Sequence, residues 1–196
     1  ARVKIVLIGE PKVGKTTIAR ILAREDLPSG YEASTAPAIK KLTLDKFQTL
    51  IWDIPGEGIE GKGWEQLIRG AGVVFIVVDS TMENAAKSKS LVSRIQNAAK
   101  GAAIFAIAGK QDLSTAVNPA LIERVLSVPT FGFSAMYSTA RDDAIGIIRE
   151  SIMIARSGKK KGDIQSGVGD ELLRLKLEVD STKRELKEIK DIIAVL

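Results

Sequence analysis

Residues 9–16 read Gly9-Glu10-Pro11-Lys12-Val13-Gly14-Lys15-Thr16, and they follow directly on the apolar run of residues 3–8. This is the pattern G-x-x-x-x-G-K-[ST] in the setting where it binds phosphate, namely a buried strand, a tight loop and a helix that begins near Lys15. The backbone N–H groups of such a loop surround a phosphate, and the N-terminus of the helix adds partial positive charge. The alternative is an ordinary turn between strand and helix, but the position after a strand favours binding of a nucleoside triphosphate.

The residue types in this loop have distinct roles in that chemistry. The lysine of the pattern reaches the β- and γ-phosphate oxygens, and the hydroxyl that follows it can bind Mg²⁺. We therefore assign Lys15 to the phosphates and Thr16 to the metal. Nucleotide contacts are predicted for the whole loop and the next residue, that is for Gly9, Glu10, Pro11, Lys12, Val13, Gly14, Lys15, Thr16 and Thr17.

The composition restricts the chemistry that is available. The chain has 196 residues, of which 45% are hydrophobic, so it can form one globular domain with an appendage. The absence of cysteine is expected of a cytoplasmic protein and excludes disulfides and thiolate metal sites. Histidine is absent too, so any reaction must use carboxylates, lysine, hydroxyls, backbone groups and a hard metal ion.

The sequence also argues against several kinds of partner. No apolar run approaches the ~20 residues that span a bilayer, and the first strand begins too early to leave room for a signal peptide. Residues 193–196 contain no cysteine that could be prenylated. The net charge of +5 is mild, and the only basic run is Lys159-Lys160-Lys161. We therefore expect no transmembrane segment, no lipidation signal and no nucleic-acid surface.

Apolar strand-like runs alternate with helical patterns along residues 1–156, which is typical of an α/β sheet with crossover helices. We predict strands near residues 2–9, 39–45, 47–53, 72–79, 102–108 and 129–135, and helices near residues 15–25, 63–70, 84–100, 118–127 and 142–156. The second and third strands are too close for a crossover helix, so Asp45-Lys46 predicts a hairpin and one antiparallel strand. Asn118-Pro119 is typical of a helix N-cap with proline in the first turn.

Two further motifs end predicted strands. Trp52-Asp53-Ile54-Pro55-Gly56 ends the third strand, where the Asp53 carboxylate can orient a Mg²⁺-bound water and the Gly56 N–H can meet a γ-phosphate. Ala108-Gly109-Lys110-Gln111-Asp112 ends the fifth strand. A carboxylate at Asp112 can accept hydrogen bonds from the ring N–H and the exocyclic amine of guanine, whereas adenine would leave it unpaired. Each motif taken alone could be a polar turn.

Two smaller features complete the predicted base site. The aliphatic stem of Lys110 can pack on the base. Ser134-Ala135-Met136 closes the sixth predicted strand, where the Ala135 N–H could meet the carbonyl oxygen of guanine.

Together, in this order and spacing, these residues resemble the Ras/Arf superfamily of small GTPases over roughly residues 2–156. The segment from Gly109 to Leu113 is similar to the Arf-type Asn-Lys-Gln-Asp-Leu. The resemblance implies a P-loop NTPase three-layer α/β sandwich, with a six-stranded, mostly parallel sheet, that binds GTP or GDP with Mg²⁺. It also implies slow hydrolysis of GTP, protein effectors and a GTPase-activating partner.

The resemblance also implies individual roles in the reaction. Thr35 takes the place of the first-switch threonine, which completes the Mg²⁺ shell and senses the γ-phosphate. Glu57 stands where a glutamine usually orients the attacking water. The implied catalytic set is therefore Lys15, Thr35, Gly56 and Glu57, and the implied metal set is Thr16, Thr35 and Asp53.

Three residues depart from the pattern of this superfamily. Pro11 stands in the phosphate loop where glycine is usual, and it crowds the space near the attacking water. Glu57 adds negative charge beside the γ-phosphate, and Gly109 replaces the asparagine that braces the base pocket. No arginine lies between Asp26 and Lys41, so we predict slow intrinsic hydrolysis. Two alternatives stay open: a nucleotide-loaded scaffold with little turnover, and an ATPase of related fold.

After Arg156 the amino-acid composition of the sequence changes. Residues 157–170 are rich in Gly, Lys and Ser and predict a flexible linker. Residues 171–196 predict an amphipathic helix with a heptad seam, formed by Leu172, Leu175, Val179, Thr182, Leu186, Ile189, Ile193 and Leu196. Glu178 and Glu185 would face Lys183 and Lys190 of a second copy, which favours a parallel homodimer. The alternatives are docking against the same chain or binding another protein.

Overall fold

A computed structural model describes residues 2–30, 34–57, 59 and 63–157. Within these ranges the strands are β1 Arg2–Ile8, β2 Ala38–Leu44, β3 Phe47–Asp53, β4 Val73–Val78, β5 Ala103–Ala108 and β6 Thr130–Gly132. The helices are α1 Lys15–Ala23, α2 Trp64–Ile68, α3 Met82–Ala98, α4 Pro119–Leu126 and α5 Ala140–Ser157.

The strands form one sheet in the order β2-β3-β1-β4-β5-β6. Strand β2 pairs antiparallel with β3, in a register that places Leu44 opposite Phe47, and the other described pairs are parallel. Asp45 adopts φ 50° in the two-residue hairpin between them, as this tight connection requires. The predicted six-stranded, mostly parallel sheet with one antiparallel strand is therefore confirmed.

Several element boundaries differ from the prediction, and the physical reason can be identified for two of them. Helix α3 begins at Met82 rather than near residue 84, because the Thr81 hydroxyl accepts a hydrogen bond from the Asn84 N–H at 3.1 Å and caps the first turn. Strand β6 covers Thr130–Gly132 rather than residues 129–135. Its pairing ends early because the Phe133 carbonyl accepts a hydrogen bond from the Gln111 N–H at 3.1 Å, in the loop after β5.

The helices cover both faces of the sheet and complete the predicted three-layer sandwich. Helices α1 and α5 pack together on one face, whereas α2, α3 and α4 pack on the other. All six residues of β4 are buried, as expected of a central parallel strand with helices on both sides. Because β1, β3, β4, β5 and β6 run in the same direction, the loops after them meet at one edge of the sheet.

The C-terminal region is a separate unit. The chain divides into residues 1–157 and residues 158–196, and the second unit lies outside the described residues. The predicted linker over residues 157–170 overlaps α5 at Ser157, and the rest of this linker and the helix over residues 171–196 stay predictions. Across the part of the chain that the structure describes, we find no helix whose length and apolar character would let it cross a bilayer.

The start of the phosphate loop allows no side chain at Gly9. A Cβ atom there would overlap the backbone carbonyl of Val77 in β4, and Gly9 has φ 154°. Because backbone cannot rotate away as a side chain can, we expect Gly9→Ala to lower the free energy of unfolding by about 2 kcal/mol. Denaturant unfolding of the purified protein measures this change.

A second glycine provides the matched control for this substitution. Gly146 lies inside α5, where a Cβ would meet nothing within 4 Å. The substitution Gly146→Ala should stabilise the protein by about 0.5–1 kcal/mol, since alanine has the higher helix propensity. Equal effects at the two positions would show that the close approach of Gly9 to β4 has no energetic consequence.

Candidate functional site

Two adjoining cavities lie at the edge where the parallel strands end. The first, the loop cavity, is lined by Pro11, Lys12, Gly14, Lys15, Thr16, Thr17, Arg20, Pro28, Gly30, Ser34, Gly56 and Glu57. The second, the strand cavity, is lined by Lys12, Val13, Gly14, Thr17, Ile18, Gly109, Lys110, Asp112, Leu113, Phe133, Ala135 and Met136. Lys12, Gly14 and Thr17 belong to both, so the cavities form one continuous groove across the N-terminus of α1.

The N-terminus of α1 is built to face an anion. Gly14 occupies the N-cap position with φ 104°, and no side chain caps the first turn. Lys12 also adopts a positive φ, of 64°, so the loop bends twice before the helix begins. The first N–H groups of the helix therefore lack a side-chain acceptor, and a phosphate in the loop cavity would supply one.

The lysine of the loop is held beneath it. Lys15 is 5% exposed, and its Nζ donates hydrogen bonds to the carbonyl oxygens of Gly9 at 3.0 Å and Glu10 at 2.7 Å. Burial lowers the pKa of Lys15 to about 8, while the charges of Asp53 and Glu10 oppose this shift. A partly desolvated ammonium with a free bonding direction interacts strongly with an added anion, because little water has to be removed first.

Thr16 and Asp53 meet beside Lys15. The Thr16 hydroxyl donates a hydrogen bond of 2.6 Å to one carboxylate oxygen of Asp53, although 37 positions separate the two residues along the chain. Asp53 is fully buried, and its Oδ1 has no hydrogen-bond partner among the described residues. Burial raises the pKa of Asp53, and the Thr16 bond and the Lys15 charge act in the opposite direction. A buried, unsatisfied carboxylate oxygen beside a hydroxyl fits a hard cation such as Mg²⁺.

Gly56, whose N–H is predicted to meet the γ-phosphate, lies against the phosphate loop. A Cβ atom on Gly56 would overlap the backbone of Glu10 and Pro11, so only glycine allows this approach. Glu57, the next residue, lines the loop cavity together with Pro11. Glu57, which is predicted to orient the attacking water, and Pro11, which stands where glycine is usual, therefore line the same cavity.

Ser34 and Thr35 of the predicted first switch differ in their position relative to the loop cavity. Thr35 is exposed and does not line the loop cavity, whereas Ser34 does, with its hydroxyl 3.3 Å from the Ala36 carbonyl. The role of Thr35 stays a prediction. Arg20 is a cation of this cavity that the sequence reasoning missed. Its position four residues after Thr16 on α1 was the available signal, because such a spacing places two side chains on one helix face.

At the other end of the groove, Asp112 faces the strand cavity. Its Oδ1 accepts a hydrogen bond of 2.5 Å from the Ser134 hydroxyl, which also accepts one from the Met136 N–H at 3.1 Å. Ser134 is buried behind the cavity, and Ala135 and Met136 line it. The pair of motifs that were weak in isolation thus meet in one place, and Ser134 sets the orientation of the Asp112 carboxylate.

Most residues predicted for the site therefore lie on one groove. The loop cavity holds Pro11, Lys12, Gly14, Lys15, Thr16, Thr17, Gly56 and Glu57. The strand cavity adds Val13, Lys110, Asp112, Ala135 and Met136. Gly9, Glu10, Asp53 and Ser134 stand behind these residues and support them through the contacts described above.

Arg94 of α3 contacts Ile59, Trp64 and Glu65. Its guanidinium donates hydrogen bonds to the Ile59 carbonyl at 2.7 Å and to the Glu65 carboxylate at 2.5 Å. The Arg94 guanidinium also lies 4.6 Å from the centre of the Trp64 ring, whose Nε1 donates to the same Ile59 carbonyl at 2.8 Å. The bond from Arg94 lowers the pKa of Glu65. Ile59 and Trp64 are themselves buried in the apolar cluster beneath α3.

We expect Arg94→Ala to loosen the packing of Ile59, Trp64 and Glu65. The substitution removes the two hydrogen bonds and the ring contact, which should lower the free energy of unfolding by about 2 kcal/mol. Hydrogen exchange should accelerate in the peptide that contains Ile59 and Trp64 and stay unchanged in α1. The control is Arg149→Ala, since Arg149 forms an exposed ion pair with Asp45 that should contribute less than about 1 kcal/mol. Equal exchange in both variants would contradict the anchoring role.

Known proteins resemble parts of this chain. The sequence model of the ADP-ribosylation factor family matches residues 1–162. ADP-ribosylation factor-like protein 5 of Caenorhabditis elegans is 30% identical over 134 residues, which cover 65% of this chain and 72% of that protein. ADP-ribosylation factor J of Dictyostelium discoideum is 29% identical over 153 residues, which cover 72% of this chain and 79% of that protein. Ras-related protein Rab-28 of Caenorhabditis elegans is 33% identical over 101 residues, which cover 47% of this chain and 41% of that protein.

Proposed function

The chain belongs to the ADP-ribosylation factor family of small GTPases, and from this we propose that it binds GTP and GDP with Mg²⁺ and hydrolyses GTP. The observation that carries the proposal is the continuous groove between Lys15 and Asp112. It joins a phosphate loop at one end to a carboxylate suited to guanine at the other. A nucleotide could therefore place its phosphates and its base on these two sites at once.

Guanine rather than adenine is proposed because of Asp112. Its carboxylate faces the strand cavity and is oriented by Ser134. Guanine supplies two N–H donors to such a group, whereas adenine offers no N–H donor at those positions. Titration of the nucleotide-free protein with GDP and with ADP tests this step. Equal affinity for the two nucleotides would favour the ATPase alternative.

The proposed reaction transfers the γ-phosphoryl group of GTP to water. The oxygen of water bonds to the γ-phosphorus, the bond from that phosphorus to the β–γ bridging oxygen breaks, a proton of the water passes to a phosphate oxygen or to solvent, and GDP and phosphate leave. Lys15 would neutralise charge on the β- and γ-phosphate oxygens. Gly56 would donate its N–H to the γ-phosphate, and the Glu57 carboxylate would accept a hydrogen bond from the water.

Thr16 and Asp53 would hold the metal side of the site. The hydroxyl of Thr16 and the carboxylate of Asp53, whose Oδ1 is unsatisfied, fit a hard cation. A bound Mg²⁺ supplies charge neutralisation on the phosphate oxygens. Thr35 is proposed as a further ligand from the resemblance alone, and Asp53 would hold water in place through its remaining lone pairs.

We propose that hydrolysis is slow without a partner. Pro11 and Glu57 share the loop cavity, so the first crowds the space beside the reacting centre and the second adds negative charge there. A single-turnover assay with GTP and Mg²⁺ measures the rate. A rate constant of several per second for the purified protein would contradict slow hydrolysis, and no hydrolysis over hours would favour the scaffold alternative.

Protein effectors and a GTPase-activating partner are part of the proposal. The segments that hold Gly56 and Thr35 would respond to the γ-phosphate, and its loss would change the affinity for those partners. Pull-down of binding partners from extract with the protein loaded with GDP or with a non-hydrolysable GTP analogue compares the two states. Identical partner sets in both states would contradict a switch.

Residues 171–196 are proposed to pair with a second copy in parallel. The support is the heptad seam of the sequence together with the Glu178–Lys183 and Glu185–Lys190 complementarity. Sedimentation of the full chain should show a dimer that Ile189→Glu, on the seam, disrupts and that Ile192→Glu, off the seam, does not. A monomeric wild-type chain would contradict the pairing.

A further inference from the structure

Ser80 combines two features that seldom occur together. It follows β4, it is fully buried, and its backbone adopts φ 66°. This left-handed conformation strains every residue except glycine and, to a lesser degree, asparagine and aspartate. Such strain is often associated with function, and in Ser80 it accompanies contacts that a glycine could not make.

The Ser80 hydroxyl joins the end of β4 to the loop after β5. It donates a short hydrogen bond to the Gly109 carbonyl and accepts one from the Gln111 side-chain amide at 2.7 Å. The same amide nitrogen of Gln111 donates to the Val117 carbonyl at 3.1 Å, and the Val117 N–H donates to the Ser80 carbonyl at 2.8 Å. These bonds form a closed network around the segment from Gly109 to Val117.

The network holds the residues on both sides of Lys110 and directly before Asp112. Lys110 itself has φ 58°, and the Leu113 N–H donates to its carbonyl at 3.1 Å. The Gln111 N–H donates to the Phe133 carbonyl at 3.1 Å. The backbone that carries Asp112 is therefore positioned from Ser80, while the Asp112 carboxylate is oriented from Ser134.

The glycine at position 109 explains why the loop after β5 is held by a residue that follows β4. The position has no side chain of its own with which to brace the loop. A Cβ atom there would lie 3.3 Å from the carbonyl oxygens of both Val13 and Val78, which is close to the limit of van der Waals contact. The Ser80 hydroxyl reaches the Gly109 carbonyl instead, over a separation of 29 residues.

We propose that Ser80 is a positioning residue for guanine recognition. It acts through Gly109 and Gln111, and it sets the place from which Asp112 accepts both N–H groups of the base. This inference rests on the proposed function, because it presumes that a guanine nucleotide occupies the groove. It concerns the discrimination between bases rather than the binding of phosphate.

Affinities for GDP and IDP test this role, because the base of IDP lacks the exocyclic amine. Wild-type protein should bind GDP at least about tenfold more tightly than IDP, since a hydrogen bond to a charged group is worth a tenfold difference or more. In both Ser80→Ala and Ser80→Gly we expect this ratio to fall below about threefold, with GDP binding about tenfold weaker.

The two variants separate positioning from general stability. Ser80→Gly removes the hydroxyl but also the backbone strain, so its melting temperature should exceed that of Ser80→Ala. The loss of the GDP-to-IDP ratio should nevertheless be the same in both. Ser88→Ala is the matched control, because Ser88 is also fully buried and its hydroxyl has no hydrogen-bond partner among the described residues. It should leave the ratio unchanged.

A ratio that stays at the wild-type value in both Ser80 variants would overturn the proposal. So would a fall in the ratio that follows the melting temperature and appears equally in Ser88→Ala. The proposed function fails in a different way, namely if the wild-type protein binds ADP as tightly as GDP.

Discussion

Lys15→Ala is expected to weaken the binding of GDP and GTP by about 10²- to 10⁴-fold. The ammonium lies beneath the phosphate loop, where it donates to the carbonyls of Gly9 and Glu10. Two charge-assisted bonds to phosphate oxygens at about 1.5–3 kcal/mol each account for this range. Because burial already lowers the pKa of Lys15 to about 8, part of the cost of desolvating the charge is met before the nucleotide arrives.

Fluorescence titration with a labelled GDP measures this affinity, and thermal unfolding provides a second readout. Saturating GDP should raise the melting temperature of the wild-type protein, whereas the variant should show no increase at the same concentration. The matched control is Lys89→Ala on the exposed face of α3, which should bind GDP as the wild type does. Affinity within tenfold of the wild-type value in Lys15→Ala would exclude this loop as the phosphate site.

Asp112→Asn is expected to change the base that the protein prefers. The carboxylate can accept both N–H groups of guanine, and loss of its charge together with one of the two acceptor oxygens should weaken GDP binding by about 10²- to 10⁴-fold. An amide N–H at this position would oppose the exocyclic amine of guanine, but it could donate to the carbonyl that xanthine carries there. The variant should therefore bind XDP more tightly than GDP.

Ser134 makes this exchange structurally conservative. Its hydroxyl donates to Oδ1 of Asp112 at 2.5 Å, and the oxygen of an asparagine amide can accept the same bond. Competition of GDP and XDP against a labelled nucleotide measures the preference of each protein. Asp142→Asn, at an exposed position of α5, is the control and should retain the preference for GDP. A variant at Asp112 that still prefers GDP would show that this residue does not contact the base.

Much of the fold followed from residues that are close together along the chain. The apolar period of the strands, the hairpin at Asp45-Lys46 and the N-cap at Asn118 each involve neighbours, so local spacing was sufficient to predict them. The observed Asn118 cap, which accepts from the Ala120 N–H at 2.8 Å, is an example. The early start of α3 was missed because the cap at Thr81 lies outside the apolar pattern.

The residues of the candidate site also include some that local sequence patterns predict and others that they do not. The motifs that contain Lys15, Asp53 and Asp112 could be recognised because each is a short, continuous pattern. The presence of Arg20 in the cavity, and of Ser34 rather than Thr35 at its wall, could not be recognised from the sequence. Both depend on how α1 and the following loop pack. In the structure Arg20 and Ser34 line the loop cavity.

The sequence by itself determined the order of strands and helices, and it was sufficient to predict a phosphate loop and a carboxylate suited to guanine, because these depend on spacing within short segments. Only the tertiary structure decided how those segments are held together. Ser80 meets Gly109 across 29 residues, Arg94 meets Ile59 across 35, and Thr16 meets Asp53 across 37. Such hydrogen bonds arise when helices and loops that follow different strands pack against one another, and no local pattern records which side chains will be opposite one another.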